Sequence, residues 1–170
     1  MSIITRRGDD GNTDTMYGGR MPKNAPNVVA CGAVDELMAS LGMVRVAGVS
    51  DEISEHIGEI QVHLITLMGL LSVPEGKREK YLADGYPALT QKEIDWLESI
   101  AVEMPTKFEG WILPGAKGHA GAAALDMART VCRRAELTAW ALGDGVSQEA
   151  CQFLNRLSDI LWLWARKLEA

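Results

Sequence analysis

Three groups of residues in this chain have the types and spacing to do chemistry. Asp126, Arg129, Arg133 and Glu136 recur at 3-4-3 spacing. On a helix that puts all four on one stripe, with Arg134 about 100° further round. Such a stripe is either a solvated face of weak ion pairs or a set of charges arranged for a ligand. The second group is Thr5-Arg6-Arg7-Gly8-Asp9-Asp10-Gly11-Asn12-Thr13, followed by Gly18, Gly19, Arg20 and Lys23. Glycines let backbone N–H groups turn toward an anion, and Thr, Arg and Lys can complete a phosphate cradle. The alternative is an ordinary glycine-rich terminus. It is not a P-loop, because GxxxxGK[ST] does not occur. The third group, Asn155, Arg156, Ser158 and Asp159, is polar inside an otherwise apolar segment. It is either a working set or simply the outward stripe of a helix.

No Ser/His/Asp or Cys/His set accompanies these groups. Cys31, Cys132 and Cys151 are odd in number and show no CxxC spacing, which fits reduced thiols in a cytosol. His56 and His63 stand seven apart with no further His or Cys nearby, the pattern of packing residues rather than ligands, and no metal ligand is assigned.

The elements that must position these groups follow from composition and period. At 170 residues, 47% hydrophobic and 24% charged, the chain reads as one soluble domain spanning 1–170. Its net charge of −6 argues against a general nucleic-acid binder, so any polyanion must be held by a local cluster. The longest apolar run, Leu64 to Val73, is far short of the roughly 20 residues of a membrane span. Arg6, Arg7, Asp9 and Asp10 precede any apolar run, against a signal peptide. Residues 1–27 read as a loop with room for a short hairpin, and 28–170 as helices.

Helices are expected from Val28 to Val46, from Ser50 to Pro74, from a Thr90/Glu93 capping box to Pro105, from Ala120 to Leu142, and from Ser147 onward. The polar stretch between Pro74 and Pro87 is expected to be a surface connection. The fold class is all-α, a five-helix bundle with a glycine-rich N-terminal nucleotide-binding loop.

The stretches TRRGDDGNT, GGRMPKNAPNV, CGAVDELMASLG, WILPG, ALDMARTVCRRAE and FLNRLSD, in that order, resemble the PduO-type ATP:cob(I)alamin adenosyltransferases nearly end to end. The resemblance implies a cytoplasmic five-helix bundle, assembled as a homotrimer with active sites between subunits. It implies transfer of the 5′-deoxyadenosyl group of ATP to the cobalt of cob(I)alamin, with Mg²⁺, giving adenosylcobalamin and triphosphate. Thr5, Arg6, Arg7, Gly8, Thr13 and Lys23 would wrap the ATP phosphates. Arg133, Arg134 and Glu136 would approach ATP from the fourth helix and Asn155 from the fifth. Asp35 would pair with Arg129 across the interface, and Arg129, Arg133 and Asp35 form the implied catalytic set. Trp111 stands where the family usually has Phe, against the lower face of the corrin in cobalamin. A reductase or an adenosylcobalamin-dependent enzyme is the implied protein partner; no nucleic acid or membrane is.

The chemistry explains why so few groups suffice. Cob(I)alamin is already a strong nucleophile, so attack on the ribose C5′ needs neither a general base nor a covalent enzyme intermediate. The protein must supply in-line placement, worth up to about 7–11 kcal/mol, and charge for the departing triphosphate. It must also hold cobalt four-coordinate, a task for an apolar wall.

This chain departs from the family pattern in four places. Asp14 follows Thr13 where a small or hydroxyl residue is usual, Cys31 replaces Tyr, Asn27 replaces Arg, and the Ala116–Gly121 segment is about two residues longer. A carboxylate at 14 can repel phosphate, face outward or help hold Mg²⁺. The rival readings are a non-catalytic adenosylcobalamin carrier and a plain helical oligomerisation protein. The carrier needs no triphosphate site. The oligomerisation protein leaves the loop, the stripe and the polar set as unrelated accidents. If Trp111 walls off the lower face, Trp111→Ala impairs reductive activation of Co(II); unchanged activation would remove that role.

Overall fold

The computed structural model describes residues 4–102, 104 and 112–170. Two three-residue strands, β1 (Asn12–Asp14) and β2 (Arg20–Pro22), pair antiparallel with Thr13 opposite Met21. Six α-helices follow: α1 (Pro26–Val46), α2 (Asp51–Leu71), α3 (Arg78–Ala83), α4 (Gln91–Val102), α5 (Ala120–Trp140) and α6 (Gln148–Glu169). The bundle therefore has the five expected helices plus α3, which lies in the stretch read from sequence as a connection. That stretch is helical because Tyr81 anchors it: the ring is buried with Leu70 and Val73 and stacks on Tyr86 at 4.8 Å.

Local signals set the ends of the long helices. Pro26 opens α1 in the first turn, where a missing N–H costs nothing. Ser50 and Ser147 cap α2 and α6, accepting from Ile53 N at 3.4 Å and Ala150 N at 3.3 Å. Thr90 and Glu93 form the expected box at α4, with Thr90 N donating to Glu93 Oε2 at 2.8 Å. Two turns, closed by Ala116 N→Leu113 O and Gly118 N→Gly115 O at 3.0 Å each, carry the chain from 113 to 118. They deliver His119, whose Nδ1 caps α5 by accepting from Ala122 N at 3.3 Å.

In the main core cluster α5 lies between α1 and α6, antiparallel to both, and a smaller cluster holds Leu70, Val73 and Tyr81. The α5 side that packs inward is built of small residues, Ala122, Ala128, Ala135 and Ala139, all fully buried. At Gly121 a Cβ would come within 3.1 Å of Val49 and 3.2 Å of the Gly48 carbonyl, so a larger residue at the start of α5 would have to push back the chain that follows α1 by a few tenths of an ångström. By length and composition α1 matches a membrane span. Asp35 and Glu36 lie at its middle, however, and Ala30, Val34, Leu37, Leu41 and Val44 are buried in the bundle. His56 and His63 pack as expected among rings, His56 on Trp164 and Trp96 at 6.0 Å each and His63 on Trp96 at 5.4 Å and Phe153 at 5.7 Å.

Burial, opposed by the Glu93 and Glu59 carboxylates, holds the His63 pKa below its usual value. A histidine depressed in the folded state binds its proton more readily unfolded. The stability it supports is complete above pH about 6.5 and is lost as pH falls through the folded pKa. His63→Phe, which keeps the ring contacts, should flatten the fall of unfolding free energy between neutral and mildly acid pH in urea titrations.

Candidate active site

The hairpin brings the phosphate-cradle candidates together. Gly8 lies under Lys23: a Cβ at Gly8 would sit 2.8 Å from Lys23 Nζ and 3.0 Å from its Cε. Lys23 N donates to Gly11 O at 2.9 Å, which ties the lysine to the turn before β1. Arg6 has φ 58°, a left-handed conformation uncommon outside glycine, in the segment expected to meet an anion. Thr13 and Asp14 line a cleft of about 420 Å³ with Cys31 and Asp35 of α1 and Ser72 at the end of α2.

The loop charges are largely matched. Arg7 Nη2 donates to Asp14 Oδ1 at 3.0 Å, and Arg20 Nε lies 3.5 Å from the same oxygen. Arg20 also donates to both Asp10 oxygens at 3.1 Å and to Arg7 O at 2.6 Å. The Asn12 N–H first, and then Arg20, hold the Asp10 carboxyl below its usual range despite some desolvation. Asp14 therefore faces two guanidiniums. Among the described residues, Arg6 and Lys23 are the loop cations without an ion pair.

Sequence reasoning missed what holds the hairpin down. Tyr17 OH donates to Asp84 Oδ2 at 2.8 Å, Lys80 Nζ lies 2.8 Å from the same oxygen, and the ammonium sits 4.9 Å above the Tyr17 ring. Met16 N donates to Ser72 O at 3.1 Å. Desolvation first, and then Asp84, push the Tyr17 phenol up to about 12. The partners lie 67 residues apart, and no local pattern signals the pair; the i,i+4 pair Lys80/Asp84 was the one legible clue.

The α5 stripe forms a second half-site. It is not a solvated face: Asp126 is 3% and Glu136 4% exposed. Glu136 accepts from Arg133 through Oε2 and from Asn155 Nδ2 at 3.1 Å through Oε1. Asn155 Oδ1 in turn accepts from Arg156 at 3.1 Å, and Arg156 Nε donates to Glu98 at 2.7 Å. The amide is thus held from both sides, with Arg133 standing half-exposed beside it. Arg134 turns instead to α1, 2.5 Å from Glu36. Arg129 lies 3.6 Å from Asp126, and Asp35 has no ion pair among the described residues. One chain therefore does not bring Asp35 and Arg129 together: the first opens toward α2 and the hairpin, the second lies with α6. Trp111 lies outside the described residues.

Burial makes thiolate formation harder at the three cysteines, Cys31, Cys132 and Cys151. All three are free thiols, and burial above all pushes each pKa up, furthest for Cys132, whose Sγ donates to Leu154 O at 3.2 Å.

This geometry, cations on a glycine loop and a buried carboxylate fixing an arginine on a helix face, is that of a helical nucleotide-handling protein. The family model described as cobalamin adenosyltransferase matches residues 3–168. A cobalamin adenosyltransferase of Cupriavidus metallidurans is 36% identical, over 98% of this chain and 87% of that protein. A corrinoid adenosyltransferase of Mycobacterium tuberculosis is 35% identical, over 96% of this chain and 86% of its own length. The fold is that of a variant PduO-type ATP:corrinoid adenosyltransferase from Lactobacillus reuteri complexed with cobalamin and ATP, at TM-score 0.83 and 30% identity, over 99% of this chain and 92% of that one. The chain belongs to the cobalamin adenosyltransferase family.

Gly8→Ala should push the Lys23 ammonium off the loop, because the crowding atoms are the far end of a flexible side chain. Binding of inorganic tripolyphosphate should weaken by about tenfold in calorimetric titration. Stability should stay within ~0.5 kcal/mol of wild type.

Proposed function

We propose that this chain transfers the 5′-deoxyadenosyl group of ATP to cob(I)alamin. The observation that carries the proposal is the pair of half-sites. Among the described residues Arg6 and Lys23 have no ion pair, Lys23 lies against Gly8, and Arg133 is held by a buried Glu136 that Asn155 also grips. Cobalt attacks the ribose C5′, the C5′–O bond breaks, and its electron pair leaves on the triphosphate. This reaction needs no nucleophile from the protein, and burial makes a thiolate harder to form at each cysteine. The protein's part is to place C5′ in line and to meet the growing charge of the triphosphate with Arg133, Lys23, Arg6 and the loop N–H groups. Thr5, Arg7, Gly8, Thr13 and Arg134 complete the ATP site in this reading, and Trp111 walls the corrin.

Mg²⁺ belongs on the triphosphate. In this reading the ion would come with the nucleotide and add positive charge to the departing triphosphate. The placement of Asp35 and Arg129 on different sides of one chain supports an assembly in which a second copy brings them face to face. We read that assembly as a homotrimer in the cytoplasm, where three free thiols persist, supplied by a reductase or serving an adenosylcobalamin-dependent enzyme. The carrier reading rested on catalysis weakened by the longer 116–121 segment or by Asp14 repelling phosphate. Arg7 and Arg20 already compensate that charge, which favours the transferase.

The test is an anaerobic assay with ATP, Mg²⁺ and chemically reduced cob(I)alamin, following the light-sensitive cobalt–carbon product by absorbance. Wild-type turnover with a loss of about 10²-fold in Arg133→Ala is expected. Tight binding of adenosylcobalamin without turnover would establish the carrier instead.

A further inference from the structure

The Arg129 end of the α5 stripe is built from charges rather than from an amide. Asp126, one turn before Arg129, is 3% exposed. Its Oδ2 accepts from Arg166 Nη2 at 2.6 Å, and its Oδ1 stands 3.6 Å from Arg129 Nε. Arg166 reaches over from the last turns of α6 and is 4% exposed. The same Nη2 lies 2.9 Å from Glu169 Oε2, and the guanidinium stands 5.7 Å from the Trp162 ring centre. Two positive and two negative side chains thus form one row, Glu169–Arg166–Asp126–Arg129, with the first three sealed from water.

Packing does not explain this row. Charges are costly to bury, and apolar side chains of the same volume commonly hold two helices together as well or better. Apart from the Glu136–Asn155 and Cys132–Leu154 hydrogen bonds, α5 and α6 bring apolar residues such as Ala128, Ala135, Leu154, Leu157 and Leu161 to the core. What the row does that an apolar set could not is to fix an arginine. Arg129 Nε is buried with no hydrogen-bond partner, yet the side chain as a whole is 32% exposed. The inner part of its head is therefore sealed beside Asp126, and its exposure lies elsewhere on the side chain.

We infer that Asp126, held by Arg166 with Glu169 on that arginine's other side, is the positioning residue for Arg129. It holds the inner edge of that guanidinium so that the outer edge faces the neighbouring copy. The inference rests on the transferase reading and on the role of Arg129 in it. Arg166 takes one carboxylate oxygen and leaves the other for Arg129, and Glu169 balances the second guanidinium. Asp126→Asn keeps shape and volume but removes the charge that attracts Arg129, leaving Arg166 paired to Glu169.

The test is a double-mutant cycle on kcat/KM for ATP in the anaerobic assay, with thermal melting of every variant alongside. Asp126→Asn should lower kcat/KM by about tenfold in the wild-type background and by less than about twofold in Arg129→Ala, because the arginine it serves is gone. Arg166→Lys, which keeps the charge but loses the reach, should show a smaller loss with the same silence in Arg129→Ala. A merely structural role would move melting and activity in both backgrounds alike, so additive losses overturn the proposal. So does wild-type activity in Asp126→Asn, or failure of both variants to fold. Wild-type turnover that survives Arg129→Ala intact removes Arg129 from the reaction and this proposal with it, while leaving the transferase standing. A wild-type chain without turnover overturns the transferase reading and the inference together.

Discussion

The molecule depends on how closely α5 can approach its two neighbours. A row of alanines, with glycine at the first turn, lets α5 lie between α1 and α6 with little side-chain thickness separating the axes. That closeness allows short side chains to do long-range work. Asn155 on α6 reaches Glu136 on α5, and the Cys132 thiol reaches a carbonyl of α6. A leucine-rich α5 would hold the helices further apart and leave a buried glutamate without its amide. The apolar packing and the polar site are therefore one design, and each constrains the other.

Charge is handled by the same logic at both ends of the molecule. In the N-terminal hairpin, exposed carboxylates neutralise Arg7 and Arg20 and leave Arg6 and Lys23 open. In the bundle, buried carboxylates do the orienting: Glu136 for Arg133 and Asp126 for Arg129. Exposed pairs of the first kind contribute little to stability but set the local balance of charge. Buried acids of the second kind confine a long, flexible cation to one direction, which is what an arginine needs before it can act on a phosphate or a carboxylate.

Much of this was legible in the sequence. The long helices follow from period and caps, and Ser50, Thr90 and Ser147 act where their types predict. The stripe of Asp126, Arg129, Arg133 and Glu136 was visible as a stripe. Its depth was not, because a helical period gives direction around an axis and says nothing of what the next helix presents there. Arg166 could not be matched to Asp126, 40 positions earlier, nor Tyr17 to Asp84. The short α3 was invisible for a related reason. Six polar-rich residues carry no helical signature of their own, and what makes them helical is a single tyrosine buried in a pocket that other elements supply. His119 as a cap was likewise hidden, since histidine is not among the residues that announce a helix start.

The clamp on the hairpin has an entropic meaning. With Tyr17 fixed to Asp84 and Met16 to Ser72, the two strands are anchored to the bundle. Ordering a backbone residue costs about 1–2 kcal/mol, so each hairpin residue already held in place spares ligand binding that cost. In that sense a tyrosine and a small helix remote from any reacting atom set how tightly the loop can hold what enters it.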